Sequence, residues 1–138
     1  MKPIIIFLSL ILLSISLYSQ DSSEKHRIDF QLEECLNDEW TQSTVDIMLC
    51  TDDALNEWDK ELNIVYQKLM KLLTDDQKTT LRQAQKEWIK YRDLEFANID
   101  SIYNMDGTMW GQVRIMERLE IVKNRTLSLT HYLEVLDF

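Results

Sequence analysis

Residues that form tight turns are almost absent from this chain, and their absence restricts its fold more than any other feature. Gly107 and Gly111 are the only glycines, and Pro3 is the only proline. Sheet proteins need glycine and proline at many corners, because tight turns favour these residues. The sequence therefore predicts an all-α domain with a few long helices.

Apolar residues recur at helical spacing along three long segments. They run from Val45 to about Leu73, from Asp76 to Tyr103 and from Thr108 to Leu136, and a shorter segment covers Asp29 to Glu39. Alternating spacings of three and four place such residues on one seam of a helix. We expect a small antiparallel bundle of three long helices and a short N-terminal helix. The predicted apolar face of the third helix contains Leu81, Ala84, Trp88, Tyr91, Ile99 and Ile102.

Helix-start signals support these boundaries. Ser43 and Asp46 form a capping-box pattern, with Asp in place of the usual Glu, at the start of the first long helix. Thr74 precedes two acids and predicts the start of the next helix. Thr108 is the expected cap of the last helix, after a turn that contains Gly107.

The first 19 residues have the features of a secretory signal peptide. Lys2 supplies a positive charge, residues 4–17 are almost wholly apolar, and Ser19 is a small residue at the expected cleavage position. The alternative is a membrane anchor, but the apolar run is shorter than the roughly 20 residues that span a bilayer. No cysteine lies near the cleavage position to carry a lipid. We predict an exported domain over residues 20–138, periplasmic or secreted, with no membrane anchor after cleavage.

Two cysteines, Cys35 and Cys50, remain in the expected mature chain. An even cysteine count in an exported protein indicates a disulfide. No histidine lies near either cysteine, and the spacing differs from that of a redox-active Cys-x-x-Cys pair. We therefore expect one structural disulfide, and neither a metal site nor a cofactor.

Negative charge is concentrated in the first third of the expected mature chain. Residues 21–59 hold 12 acidic and 2 basic side chains, whereas residues 60–138 hold 12 of each. Such a surface repels nucleic acid and attracts cationic proteins. The acidity is also compatible with solubility alone.

Two of the four tryptophans, Trp40 and Trp110, lie next to predicted helix breaks, whereas Trp58 and Trp88 lie on predicted seams. An exposed tryptophan beside acids is a common composition for a binding hot spot that faces Lys or Arg. Ordinary packing within a loop is the alternative for both Trp40 and Trp110.

Three segments resemble the N-terminal domain of the lysozyme inhibitor LprI family of exported bacterial proteins, and the similarity covers about residues 32–130. The first contains Cys35, Thr44, Met48 and Cys50, and the second contains Asp59, Leu62, Asn63, Tyr66 and Leu69. The third is the most specific and contains Leu81, Ala84, Gln85, Trp88, Tyr91, Arg92, Asp93 and Glu95.

The chain departs from the resembled family at a second cysteine pair that such domains often carry. Phe96 stands at one of these positions, and residues 113–117 contain no cysteine at the other. Since both cysteines are missing together, we expect apolar packing in place of that bridge.

The resemblance implies an exported, non-enzymatic protein that binds lysozyme, a strongly basic enzyme, by protein–protein contact. For the docking surface we select six acids and one tryptophan, and we expect the third motif segment and the disulfide to support it structurally. The docking residues are Glu33, Glu34, Asp38, Glu39, Trp40, Asp52 and Asp53, and the structural motif is Trp88, Tyr91, Arg92, Asp93 and Glu95.

Two alternatives stay open. One is a periplasmic structural or assembly module that binds another envelope protein. The other is a hydrolase that uses Asp93 or Glu95, because a carboxylate among aromatic rings can have a raised pKa. No nucleophile–base grouping, metal-ligand motif or phosphate loop accompanies these carboxylates in the sequence. We therefore select no catalytic residue.

Overall fold

The computed structural model describes residues 25–136. The predicted signal peptide over residues 1–19, the start of the predicted domain and the last two residues lie outside the described residues. Within residues 25–136 the chain forms four helices and no strand, so the predicted all-α class is confirmed. The helices are α1 (Arg27–Asn37), α2 (Thr44–Leu72), α3 (Asp75–Ile102) and α4 (Thr108–Leu136).

The starts of α2 and α3 follow the predicted caps. The Ser43 hydroxyl accepts a hydrogen bond from the Asp46 backbone N–H, and the Asp46 carboxylate accepts one from the Ser43 N–H. Thr74 and Gln77 exchange the equivalent pair of bonds at the start of α3. Both boxes satisfy backbone donors that have no partner inside the helix.

Two helix starts differ from the prediction. The first helix begins two residues earlier than expected, because His26 Nδ1 accepts a hydrogen bond from the Ile28 N–H at 3.2 Å and caps α1. The predicted cap at Thr108 is wrong, since Thr108 is itself the first residue of α4. Gly107 precedes it with φ of 109°, a backbone conformation that favours glycine.

The helices α2 and α4 form the central pair, and the apolar core lies mainly between them. Trp58 is fully buried in α2, and the hydroxyl of the buried Thr126 in α4 donates to the backbone oxygen of Trp58 at 3.3 Å. The shorter α1 packs on α2, and α3 packs on α4. Other core side chains come from three of the helices: Ile28, Ala54, Leu62, Val65, Leu69, Leu119, Val122 and Leu129.

The predicted apolar face of α3 is only partly correct. Ile99 is buried and Leu81 and Trp88 are half-buried, but Ala84, Tyr91 and Ile102 are exposed. At 100° per residue, the exposed three lie about 60–80° away from the buried stripe. Because α3 touches its neighbours along this narrow stripe, residues on its margin stay in contact with solvent.

The disulfide joins Cys35 of α1 to Cys50 of α2, with the two Cα atoms 5.8 Å apart, and the predicted pairing is confirmed. On α4, Lys123 pairs with Asp29 of α1 at 2.8 Å, whereas Arg125 donates to Gln85 of α3 at 3.0 Å. Residues two apart in a helix point about 200° apart. The helices α1 and α3 therefore lie on opposite sides of α4.

Candidate functional site

The first part of the described chain forms a strongly acidic region, which we call the acidic end and define as residues 25–61. It holds 11 acidic and 3 basic side chains. It comprises α1, the turn after it and the first half of α2. All seven residues selected for docking from the sequence lie in this region.

The turn between α1 and α2 is held by its own hydrogen bonds. Asp38 accepts from the Trp40 N–H at 3.0 Å through its carboxylate and from the Thr41 N–H at 3.0 Å through its backbone oxygen. The Thr41 hydroxyl donates to the Cys35 backbone oxygen at 2.7 Å. These bonds tie the turn to the disulfide and place the Trp40 side chain in solvent, with 81% of its surface exposed.

Beside this turn, α2 presents a mixed apolar and acidic strip to solvent. Val45 and Leu49 are 52% and 61% exposed, and Asp52 follows at the next position on the same face. The spacings of four and three bring these side chains into one row. Sequence reasoning missed Val45 and Leu49 as surface residues. The available signal was their position opposite the buried seam that contains Trp58.

The selected acids do not share a single face. Neighbouring helical residues diverge by about 100°, so Glu33 and Glu34 point differently, as do Asp52 and Asp53. Glu33 lines a cleft between α1 and α4 that also contains Lys123. Asp53 lines the cleft between α1 and α2, where Arg27 and Lys60 also lie. Asp38, Glu39 and Asp52 are exposed around Trp40 and the α2 strip.

Most of the selected acids have no ion pair within the described part of the chain. Glu33 is the exception and pairs with Lys25. The other five form no salt bridge with any residue from 25 to 136. These five are Glu34, Asp38, Glu39, Asp52 and Asp53. Their charge is therefore available to an outside partner.

Two further acids of the acidic end form hydrogen bonds within the fold. Hydrogen bonds from the hydroxyl and then the backbone N–H of Ser43 hold the pKa of Asp46 below its ordinary value. A hydrogen bond from Lys60, at 2.7 Å, lowers the pKa of Glu57 in the same way. Both acids stay ionised at neutral pH and add to the negative field of the acidic end.

The third motif segment forms a cluster of aromatic and charged side chains on α3. The guanidinium of Arg92 lies 5.6 Å from the Trp88 ring and 5.9 Å from the Phe96 ring. It also lies 3.6 Å from the Asp59 carboxylate of α2 and 2.7 Å from that of Asp93. Arg92 thus links α3 to α2 by charge and aromatic contact. Phe96, at one of the positions where the resemblance implied a cysteine, packs against the core.

The remaining motif side chains are exposed or form hydrogen bonds within α3. Tyr91 is 53% exposed, and Glu95 accepts a hydrogen bond from Asn98 at 3.2 Å. Asp93 is bound to Arg92 and is also solvent-exposed. Within residues 25–136, no group of three or more His, Cys, Asp or Glu side chains is placed to hold a metal ion.

Trp110 lies at the start of α4 and is half-buried. Its ring stacks on that of Tyr103, with centroids 5.9 Å apart and planes 17° apart. The packing interpretation therefore holds for Trp110, whereas Trp40 has the exposure that the hot-spot interpretation requires. Among the helices of residues 25–136, none is long and apolar enough to cross a membrane.

Comparisons with known proteins find a matching sequence family and a similar fold. A sequence profile described as "Lysozyme inhibitor LprI" matches residues 35–129. The crystal structure of an uncharacterised protein from Burkholderia thailandensis is similar, with 26% identity and a TM-score of 0.76. The match covers 81% of this chain and 56% of that protein, so the present chain spans little more than half of its length. No curated protein matches the sequence.

Proposed function

Because the chain belongs to the lysozyme inhibitor LprI family, we propose that it is an exported, non-enzymatic protein that binds cationic cell-wall hydrolases of the lysozyme type. The acidic end is the proposed docking surface. The observation that carries this proposal is the exposed Trp40 together with Asp38, Glu39 and Asp52, three exposed acids that form no salt bridge within residues 25–136. Export rests on the sequence features of residues 1–19.

The proposed docking surface combines two kinds of contribution. Its centre is Trp40 with Val45 and Leu49, which supply apolar area that a partner can cover. Its rim contains Asp38, Glu39 and Asp52. Carboxylates on a rim mainly raise the association rate of a cationic partner, whereas a central tryptophan slows its dissociation.

A turbidity assay tests the proposal. Purified protein in low salt should slow the clearing of a cell-wall suspension by a basic lysozyme at micromolar concentrations. Trp40→Ala should weaken binding roughly 30-fold or more, the scale of a hot-spot residue. The paired change Glu39→Gln with Asp52→Asn should weaken it by about tenfold, since each rim charge contributes less.

A charge-matched control separates local docking from overall acidity. Asp76→Asn with Glu134→Gln removes the same charge at the start of α3 and near the end of α4, away from Trp40. This control should inhibit like the unmodified protein. Unimpeded clearing by the lysozyme at micromolar protein would contradict inhibition. Retention of an envelope partner by the Glu39–Asp52 variant would instead favour the structural or assembly module.

A further inference from the structure

A partly buried arginine that forms no salt bridge within residues 25–136 lies on the side of the bundle opposite α1. Six basic residues within residues 25–136 form no salt bridge, and five of them are exposed. Arg125 is the sixth, and it is half-buried between α3 and α4. The five exposed residues are Arg27, Lys68, Lys71, Arg82 and Lys86.

The surroundings of Arg125 hold its guanidinium in place, but no acidic side chain of residues 25–136 forms an ion pair with it. Its Nε–H donates to Gln85 Oε1 at 3.0 Å, and its Cζ lies 5.9 Å from the Trp88 ring. Partial burial lowers the pKa of Arg125 from its ordinary value, because desolvation penalises the charged form. An arginine presents five N–H donors, and Nε–H is the one used within the described residues. The remaining N–H groups can donate to an anion in bidentate geometry.

An apolar groove lies at the end of the bundle where α2, α3 and α4 meet. Its volume is about 610 Å³, within the range of sites that bind small molecules. The side chains that line it are mainly aliphatic or aromatic. The four that α4 contributes, His131, Tyr132, Val135 and Leu136, are all exposed. On the other helices the apolar lining comes from Leu69, Leu73, Leu81 and Ala84.

The groove and the cleft that contains Arg125 lie next to each other along α3 and α4. A smaller cleft contains Arg125 together with Trp88, Asn124 and Ser128. On α3, Ala84 of the groove lies one helical turn from Trp88 of the cleft. On α4, Tyr132 of the groove lies one turn from Ser128 of the cleft. An elongated ligand can therefore reach from one to the other.

We propose that this surface binds an amphiphile with one carboxylate and an alkyl chain, such as a medium-chain fatty acid. The carboxylate binds the free N–H groups of Arg125, and the alkyl chain lies in the groove against Leu81 and Ala84. Apolar lining favours the chain through the hydrophobic effect, and the uncompensated guanidinium selects an anionic head over a cationic one.

Calorimetric titration of the purified protein with decanoate tests this proposal. Decanoate is kept below its critical micellar concentration. Decyltrimethylammonium is the matched ligand, because it has the same chain and the opposite charge. We expect saturable binding of decanoate that is at least tenfold tighter than binding of the cation. Arg125→Gln should weaken decanoate binding at least tenfold and leave the cation unaffected. Ala84→Trp fills the groove and should abolish the binding of both.

Arg82→Gln is the control, since Arg82 is an exposed arginine of α3 without a salt bridge in residues 25–136. It should bind decanoate like the unmodified protein. Helical content and thermal midpoint confirm that each variant is folded. Equal affinity for the two head groups, equal decanoate binding by Arg125→Gln, or no saturable binding by the unmodified protein would each overturn the proposal. Lysozyme inhibition is a separate measurement, and Arg125→Gln should leave it unchanged.

Discussion

Leu129 lies at the centre of the α2–α4 interface with no surface exposed. Leu129→Ala removes buried methyl and methylene groups and leaves a cavity. We expect the free energy of unfolding to fall by about 2–5 kcal/mol. Leu127→Ala, in the same helix but at an exposed position, should change it by less than about 1 kcal/mol. Urea denaturation compares the two, and equal losses would contradict the described core.

Individual side chains were harder to place from the sequence than the fold class. Trp40 and Trp110 both lie beside helix breaks, yet one is exposed and the other stacks on Tyr103. The difference depends on which aromatic side chain the neighbouring turn brings close. Arg125 gave no sequence signal, because its missing counter-ion is a property of the surrounding helices. Sequence periodicity describes one helix and contains no information about its neighbours.

Helix boundaries, in contrast, were largely predictable, because caps are local. The Ser43 and Thr74 boxes each depend on residues within four positions of one another. The start of α1 was missed because His26 is an uncommon cap. The face of α3 was predicted only in part, since the width of its contact depends on how α4 packs against it.

The capping box of α2 predicts a pH effect. The pKa of the Asp46 carboxyl is lowered in the folded protein, so its stabilising contribution is complete above the unfolded pKa of about 3.9. That contribution is lost as the pH falls through the lower folded value. We expect Asp46→Asn to reduce stability at pH 7 and to differ progressively less from the unmodified protein below pH 4. Denaturation across this range measures the difference.

The Ser43→Ala background is the matched control for that experiment. Ser43 supplies the hydrogen bonds that lower the Asp46 pKa. Asp46→Asn made in this background should therefore show a smaller loss at pH 7 and a weaker dependence on pH. An unchanged pH dependence of stability would mean that Asp46 acts through a partner other than the Ser43 hydroxyl.

The disulfide mainly stabilises α1, because it ties this helix to α2. It closes a loop with a sequence separation of 15 residues between Cys35 and Cys50. In the chain-entropy model such a loop contributes about 3 kcal/mol. Replacing both cysteines by serine should lower the free energy of unfolding by about 2–4 kcal/mol, and a reducing agent should not change this variant. Hydrogen exchange should show the largest loss of protection in α1, and an unaffected α1 would contradict this prediction.

At the scale of the whole molecule, the acid-rich part of the sequence forms one end of the helical bundle. The sequence shows a concentration of acids in the first third of the expected mature chain, and those from residue 25 onward lie in α1, the turn after it and the first half of α2. The arrangement of the helices around α2 and α4 was not predictable, because similar apolar seams permit several packing orders. The acids also spread over several faces, because neighbouring residues of a helix point about 100° apart.

Salt should weaken the binding of a basic hydrolase mainly by lowering the association rate. Screening shortens the Debye length from about 10 Å at 0.1 M to about 3 Å at 1 M ionic strength. We expect the association rate with a basic lysozyme to fall at least tenfold over this range, while the dissociation rate changes little. Surface plasmon resonance separates the two rates. In the Trp40→Ala variant the dissociation rate should rise instead, and a salt effect confined to dissociation would contradict steering.

Lys123 and Arg125 point to opposite sides of α4, so α1 and α3 have separate neighbours on that helix. A macromolecule seated over the turn at Trp40 would leave the α3–α4 surface open to the medium. A ternary complex is then sterically permitted, and two occupants would compete only if the central helices transmitted a shift between them.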